Sequence, residues 1–121
     1  MITLEKLDVY MLSMELGEKI WGTVLQWDYF AKDTVGKQLV RSADSVSSNI
    51  SEGYGRFHYK ENKQFCYFSR GSLMETKTWI TKAKSRKLIS EEDSQSLLSN
   101  LDLIHKKLNG YIKSIGKMSQ N

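Results

Sequence analysis

Basic side chains recur at a regular spacing in one part of this 121-residue chain. Residues 59–89 hold eight Lys or Arg against two Asp or Glu, whereas the net charge of the whole chain is only +4. Four of these eight cations lie at successive steps of seven residues, and seven residues return to within about 20° of one direction on a straight helix. The predicted stripe, with an aromatic side chain among the cations, consists of Lys60, Lys63, Tyr67, Arg70, Lys77 and Lys84. Such a stripe is suited to contact with the phosphate backbone of a nucleic acid. The alternative interpretation is an ordinary helix face exposed to solvent.

A second set of polar residues follows one side of the segment 38–56, next to an apolar stripe that runs from Val35 to Ile50. Its members are Gln38, Arg41, Ser45, Asn49, Glu52 and Arg56. A half-buried polar group without a hydrogen bond costs about 1–3 kcal/mol, so these side chains need partners. Glu75 falls on the predicted inner face of the next helix, and Arg41 or Arg56 is its expected partner. We favour a buried network that sets helix register and subunit geometry, with a ligand-binding groove as the alternative.

Candidate catalytic residues are few. A di-iron bundle needs Glu-x-x-His pairs, and neither His58 nor His105 has a glutamate three residues before it. Cys66 is expected to pack beside the core, because His58 lies about 12 Å away along a helix. The Gly-Tyr-Gly-Arg sequence at 53–56 lacks the features of a phosphate-binding loop. We therefore expect no enzyme activity, no cofactor and no metal.

Four amphipathic helices are predicted to position these residues. The first runs from Thr3 to about Trp27 and carries two apolar rows, one from Leu4 to Leu25 and one from Val9 to Trp27. Two rows exceed what one intramolecular face requires, which suggests a subunit contact. Gly17 and Gly22 either allow a close helix approach or merely weaken this helix.

The other three helices are bounded by cap and turn residues. Asp33 is expected to cap the second helix after a connection at 29–33, and glycines at 53 and 55 are expected to end it in a left-handed conformation. The third is predicted over Tyr59–Lys87, with His58 before it. The expected inner face of the third is Phe65, Phe68, Ser72, Glu75, Thr76, Trp79 and Ala83.

The fourth helix is expected to open at a Ser90 cap, and the tail after Met118 is expected to fray. Its apolar residues alternate at steps of four and three, which is typical of a bundle seam. They are Leu97, Leu101, Ile104, Leu108, Tyr111, Ile115 and Met118. Short connections between four such helices predict an all-α, antiparallel up-and-down bundle.

Composition supports a single domain over residues 1–121, since no Pro-rich, Ser/Gly-rich or low-complexity linker interrupts it. The single cysteine cannot form an internal disulfide. No apolar run approaches the roughly 20 residues of a membrane span, and the first residues do not resemble a secretion signal. A cytoplasmic location is the expectation.

The runs RSADSVSSNISEGYGR at 41–56 and FCYFSRGSLMET at 65–76 allow a comparison with a known family. They resemble the four-helix-bundle proteins encoded in intervening sequences of bacterial 23S ribosomal RNA genes. Ser48 stands where that family usually has proline, and His58 where a serine cap is expected. The resemblance implies a ring-shaped homo-oligomer, a pentamer. It also implies a relation to an accessory protein of diversity-generating retroelements, which binds nucleic acid and a reverse transcriptase.

Together these observations favour a non-enzymatic nucleic-acid-binding or nucleoprotein-scaffold protein, with the third-helix stripe as contact surface and RNA or DNA as partner. The alternative is a protein-interaction module that docks a partner enzyme, such as a reverse transcriptase, without touching nucleic acid. An enzyme that uses the polar stripe is a third reading. Phosphate contacts carry affinity and not base identity, so binding should be insensitive to sequence.

Overall fold

Amphipathic segments of the chain form four long helices in the computed structural model, which describes residues 2–117. Helix α1 spans Asp8–Leu25, after a 3-10 turn at Leu4–Lys6. Helix α2 is continuous through Tyr29–Ala31, a π-helical turn at Lys32–Gly36, and Lys37–Tyr54. Helices α3 and α4 span Tyr59–Ser85 and Glu91–Ser114. The described part of the chain contains no strand.

Each helix packs against the next along the chain, and α4 also packs against α1. The connections between consecutive helices are short, so neighbouring helices run in opposite directions. This circular order of contacts is that of an up-and-down bundle. Helices α2 and α3 make the most extensive contact.

The core contains the apolar stripes predicted for α2 and α4. On α2 it includes Leu39, Ala43, Val46 and Ile50, each fully buried. On α4 the buried residues are Leu97, Leu101, Ile104, Leu108, Ile112 and Ile115, with Tyr111 half-buried. The seam predicted for α4 is therefore confirmed up to Ile115, whereas Met118 and the tail lie outside the described residues.

Two of the four helices begin with a residue whose side-chain oxygen caps the first turn. The Ser90 Oγ accepts a hydrogen bond from the Asp93 backbone N–H at 3.0 Å, which confirms the predicted start of α4. On α2, however, the cap is Asp28, whose carboxylate accepts from the Ala31 N–H at 2.9 Å. The prediction of an Asp33 cap was wrong, because residues 29–33 are already helical and Asp33 instead pairs with Lys37 at 3.0 Å.

The ends of α2 and α3 differ from expectation in their backbone conformation. Gly55 has a φ of −78°, so the predicted left-handed glycine stop at the end of α2 was wrong. Lys87 has a φ of 62° instead, and the Leu88 N–H donates to the Ala83 carbonyl at 2.8 Å. This six-residue hydrogen bond across a left-handed residue is the Schellman motif, which ends α3 without glycine.

The rotation of α3 about its axis also differs from expectation. Its buried residues are Cys66, Ser69, Leu73, Thr76, Ile80 and Ala83. Phe68 is 49% exposed, and Glu75 is exposed, so the prediction that both face inward was wrong. Ser69 and Thr76 are small enough to hydrogen-bond to α2 across the interface, and the aromatic rings lie at its borders.

Helix α1 buries one of its two apolar rows. Val9, Leu16, Ile20 and Val24 are buried. The other row stays exposed in the single chain, notably at Met11, Met14, Trp21 and Leu25. Gly17 is buried, and a Cβ there would lie 2.8 Å from the Asp44 carboxylate, whereas Gly22 has open space around it. The close-approach interpretation therefore fits Gly17 and not Gly22.

Two glycine substitutions on this bundle should have opposite effects on stability. A Cβ at Gly53 would lie 2.9 Å from the Asn62 carbonyl oxygen and 2.9 Å from the Phe65 Cβ, where α2 meets α3. Gly53→Ala should therefore destabilise the protein by about 1–3 kcal/mol through overpacking. Gly71→Ala meets nothing within 4 Å and should stabilise it by up to about 1 kcal/mol, because alanine favours the helix. Urea unfolding followed by circular dichroism measures both, and a stabilised Gly53→Ala would contradict the close contact.

Candidate nucleic-acid interface

Four of the predicted cations lie along the border between α3 and α4. Positions 63, 70, 77 and 84 each follow a core position of α3 by one residue or precede one by three, which places them on one flank of the helix. The Arg70 guanidinium donates to the Asn109 side-chain oxygen of α4 at 3.0 Å. This contact identifies the flank as the one next to α4.

We call the solvent-facing part of this border the basic edge; it consists of Lys60, Lys63, Tyr67, Arg70 and Lys77. Lys60 and Lys77 are exposed, and Lys63 and Arg70 are half-buried. Within residues 2–117 no carboxylate lies within 4.0 Å of any of these three lysines. The charges of the lysines are therefore available to an anion.

The sixth predicted residue differs from the others. The Lys84 amine pairs with the Glu91 carboxylate at 2.6 Å, across the turn between α3 and α4. The hydrogen bond from Lys84 lowers the pKa of Glu91. Because its charge is compensated locally, Lys84 is a weaker candidate for phosphate contact than the prediction assumed.

The aromatic residue of the basic edge, Tyr67, contacts a neighbouring cation and is also partly exposed. Tyr67 is 42% exposed, and the Arg70 guanidinium carbon lies 5.1 Å from the centre of its ring. A guanidinium at this distance is attracted to the ring face. Tyr67 and Arg70 therefore form a preorganised pair one turn from Lys63.

A shallow groove on the same border brings Lys77 near His105. Both residues line it together with Leu73, Met74, Leu101 and Asp102. His105 is half-buried, which agrees with the prediction of a boundary histidine. Asp102 is the acidic group in this groove, but it makes no ion pair with Lys77 within the described residues.

The predicted polar stripe of α2 lies at the surface, and several of its members bond to one another. The Asn49 amide donates to the Ser45 carbonyl at 2.8 Å, and the Ser45 hydroxyl donates to the Arg41 carbonyl at 2.8 Å. Arg56, just after the end of α2, pairs with Glu52 at 2.8 Å. Gln38 is half-buried. Within residues 2–117 these bonds are local and do not form a buried network.

The expected ion pair of Glu75 was wrong. Glu75 is exposed because α3 is rotated relative to the prediction, and no ion pair joins it to Arg41 or Arg56 in residues 2–117. Arg56 instead contacts Glu61 at 3.6 Å and lies 4.8 Å from the centre of the Phe65 ring. A role of Arg41 and Glu75 in subunit contact stays a prediction.

Two of the small residues that make buried polar contacts, Ser42 and Ser69, were not singled out in the sequence. The Thr76 and Ser42 hydroxyls lie 3.0 Å apart, and the Ser69 hydroxyl donates to the Val46 carbonyl at 2.8 Å. These contacts are at the α2–α3 interface, and Thr76 was expected there. Steps of seven from Ser69 to Thr76 are the signal that could have placed Ser69 on the same face, although Ser69 is less apolar than its aromatic neighbours.

Cys66 is fully buried, as the packing interpretation predicted. Burial raises the pKa of its thiol to about 11. The folded protein thus retains this proton where the unfolded chain loses it, so stability should fall as pH rises from about 9 towards 11. At pH 8 a thiol reagent such as Ellman's should react slowly with native protein and rapidly in denaturant. Equal rates in both conditions would contradict the burial.

Within the described residues, no group of three or more His, Cys, Asp or Glu side chains is arranged to hold a metal ion. None of the helices in residues 2–117 has both the length and the apolar character needed to cross a membrane. Other lysines in residues 2–117 also lack an ion pair, so the distinctive feature of the basic edge is that its cations follow one side of α3.

The fold and the surface together define an all-helical protein of four long helices with a basic edge between α3 and α4. The chain belongs to the 23S rRNA-intervening sequence protein family, whose sequence model matches residues 5–110. This confirms the family resemblance inferred from residues 41–76.

A solved structure shows the same fold. It is the 1.70 Å crystal structure of a protein of unknown function from the S23 ribosomal protein family of Bacteroides thetaiotaomicron. The two chains align with a TM-score of 0.78 at 22% sequence identity, over 88% of this chain and 99% of the other. No match was found among curated proteins.

Proposed function

We propose that this protein is a non-enzymatic nucleic-acid-binding or nucleoprotein-scaffold protein that contacts phosphates through the basic edge. The observation that carries the proposal is the row of Lys60, Lys63 and Lys77, none of which has a carboxylate partner within residues 2–117. Lys6, Lys19 and Lys106 are also unpaired in the described residues, but they lie on different elements. Uncompensated lysines in a row attract a polyanion more strongly than scattered ones.

The length of the basic edge suits a nucleic-acid strand. From Lys63 to Lys77 the helix rises about 21 Å, at about 1.5 Å per residue. Several phosphates of one strand can be contacted over that distance. Such contacts release counterions, and they distinguish poorly between base sequences.

An increase in salt should weaken this binding steeply. Fluorescence anisotropy with labelled RNA and DNA of two unrelated sequences at 50 and 200 mM salt measures the effect. Three to four phosphate contacts predict a loss of roughly 30- to 150-fold on duplex between these concentrations. Absence of binding at the lower salt, for both polymers, would contradict the proposed function.

Assembly into a ring-shaped homo-oligomer, a pentamer, is part of the same proposal, with a cytoplasmic location. The exposed row on α1 supports self-association, because Met11, Met14, Trp21 and Leu25 are each more than 40% exposed. Repeating the basic edge around a ring would allow several weak contacts to act together. The number of subunits comes from the family resemblance.

Docking of a partner protein, such as a reverse transcriptase, is the second candidate function. The observation that favours it is an apolar groove between α1 and α2, lined by Trp21, Leu25, Gly36 and Val40. A partner that used this groove would leave the basic edge free. Salt-insensitive binding of a protein, together with no affinity for nucleic acid, would favour this candidate.

A further inference from the structure

Exposed aromatic rings cluster at the end of the bundle where α2 turns into α3. Phe57 is 91% exposed, Tyr59 is 52% exposed and Tyr67 is 42% exposed. Single exposed aromatic residues are common on protein surfaces. Three of them beside the uncompensated Lys60 and Lys63 form a surface of mixed aromatic and cationic character.

The rings and the charges alternate along one side of α3. From Tyr59 to Lys63, then to Tyr67 and Arg70, the steps are four, four and three residues, which are the spacings of neighbours on a helix surface. Each cation therefore lies about one turn from a ring. A nucleotide has the same arrangement, with an anionic phosphate linked to a flat base.

The position of Tyr59 is set by the end of α4. Gly116 has a φ of +86°, and a Cβ there would lie only 3.2 Å from the Tyr59 ring. The ring packs against the chain directly after α4, whose last turn carries Lys113. Tyr59 therefore lies against the end of α4.

Phe57 is held differently. Its ring meets the His58 ring edge-on, with the ring centres 5.0 Å apart, and it lies in the turn between α2 and α3. In a T-shaped contact the edge of one ring faces the other ring. Part of the Phe57 ring surface therefore remains open to solvent. Phe57 is the most exposed of the large apolar residues within positions 2–117.

We propose that this end of the bundle stacks unpaired bases, so that the ligand of the basic edge is single-stranded nucleic acid. The inference rests on the proposed function, and it adds that the bound nucleic acid is single-stranded. In a duplex the base faces are covered by neighbouring base pairs, whereas a single strand offers each base face to an aromatic side chain. The phosphates of the same strand then follow Lys60, Lys63 and Arg70 along α3.

Anisotropy titrations with a labelled oligouridine of about 12 nucleotides and a hairpin duplex of similar length test this inference. Wild-type protein should bind the single strand more tightly. Phe57→Leu keeps an apolar side chain but removes the ring, and it should weaken single-strand binding about fivefold or more. Binding to the hairpin should change less than about twofold. Tyr67→Leu provides a second variant on the helix itself.

Phe30→Leu is the matched control. Phe30 is 76% exposed, and it lies in the first turn of α2, at the other end of that helix from Phe57. Its substitution should leave both affinities unchanged. Circular dichroism establishes that each variant keeps its helices.

Two results would overturn the inference, and they differ in meaning. If Phe57→Leu and Tyr67→Leu bind oligouridine like wild type while hairpin binding persists, base stacking is wrong and phosphate binding stands. If wild-type protein binds neither ligand at low salt, the proposed function fails together with the inference.

Discussion

A triple variant, Lys60→Gln with Lys63→Gln and Lys77→Gln, should bind nucleic acid about 100-fold more weakly than wild type near physiological salt. Each lysine that neutralises a phosphate contributes about 0.7 to the salt slope on a single strand and about 0.9 on duplex. Loss of three contacts should therefore reduce the slope by about 2 to 3. Anisotropy titrations across a salt series measure both quantities.

Arg70 is left unchanged in this variant because it has a structural role. Its guanidinium donates to Asn109 and lies over the Tyr67 ring, so its removal would disturb the border between α3 and α4. The three lysines make no ion pair within residues 2–117. Their replacement should leave the unfolding transition close to that of wild type, since exposed substitutions usually change stability by less than about 0.5 kcal/mol.

The control removes the same charge elsewhere. Lys6, Lys19 and Lys106 are exposed and make no ion pair in the described part of the chain. Replacing these three with glutamine separates a local contact from a general effect of net charge. Equal losses in the two triple variants would show that the basic edge is not the contact surface.

Trp21→Glu should convert the proposed homo-oligomer into a monomer. Trp21 is 53% exposed and lines the apolar groove between α1 and α2, next to Val40 and Arg41. Burying a carboxylate there costs several kcal/mol at every subunit contact, and the cations that also line the groove, Lys32, Lys37 and Arg41, offset only part of that cost. Size exclusion with light scattering measures the mass of wild type and variant, and circular dichroism checks that the helices remain.

Leu103→Glu is the control for assembly. Leu103 is 43% exposed on α4, and it lies beside Leu12 and Asn100, away from the groove. Its substitution should not change the mass of the assembly. A wild-type protein that is monomeric across micromolar concentrations would remove the ring altogether, while an oligomeric Trp21→Glu would show that another surface joins the subunits.

Some features of this protein could be read from local pattern alone. The Ser90 cap is defined by neighbouring residues, because its hydroxyl reaches a backbone N–H three residues later. The core row from Leu97 to Ile115 repeats at steps of three and four, which is visible without a partner helix. The enrichment of lysine and arginine in residues 59–89 is likewise a property of composition.

Other features depend on helix contacts that local pattern does not encode. The predicted inner face of α3 placed Thr76 correctly but favoured Phe65, Phe68 and Trp79 over Ser69, because the rings are larger and more apolar. The interior favours side chains that fill the available space, and Ser69 and Thr76 are small enough to hydrogen-bond to α2 directly. Large rings therefore border the interface, with Arg56 over Phe65 and Lys82 over Trp79.

Sequence by itself determined the family, the four helical segments and the presence of a basic stretch, since each depends on residues close together along the chain. Tertiary structure alone decided which cations of the predicted stripe are engaged. The turn between α3 and α4 brings Glu91 to Lys84, and packing of α4 brings Asn109 to Arg70. These contacts join residues on different helices, so only the arrangement of the helices distinguishes a cation that is open to an anion from one that is already engaged.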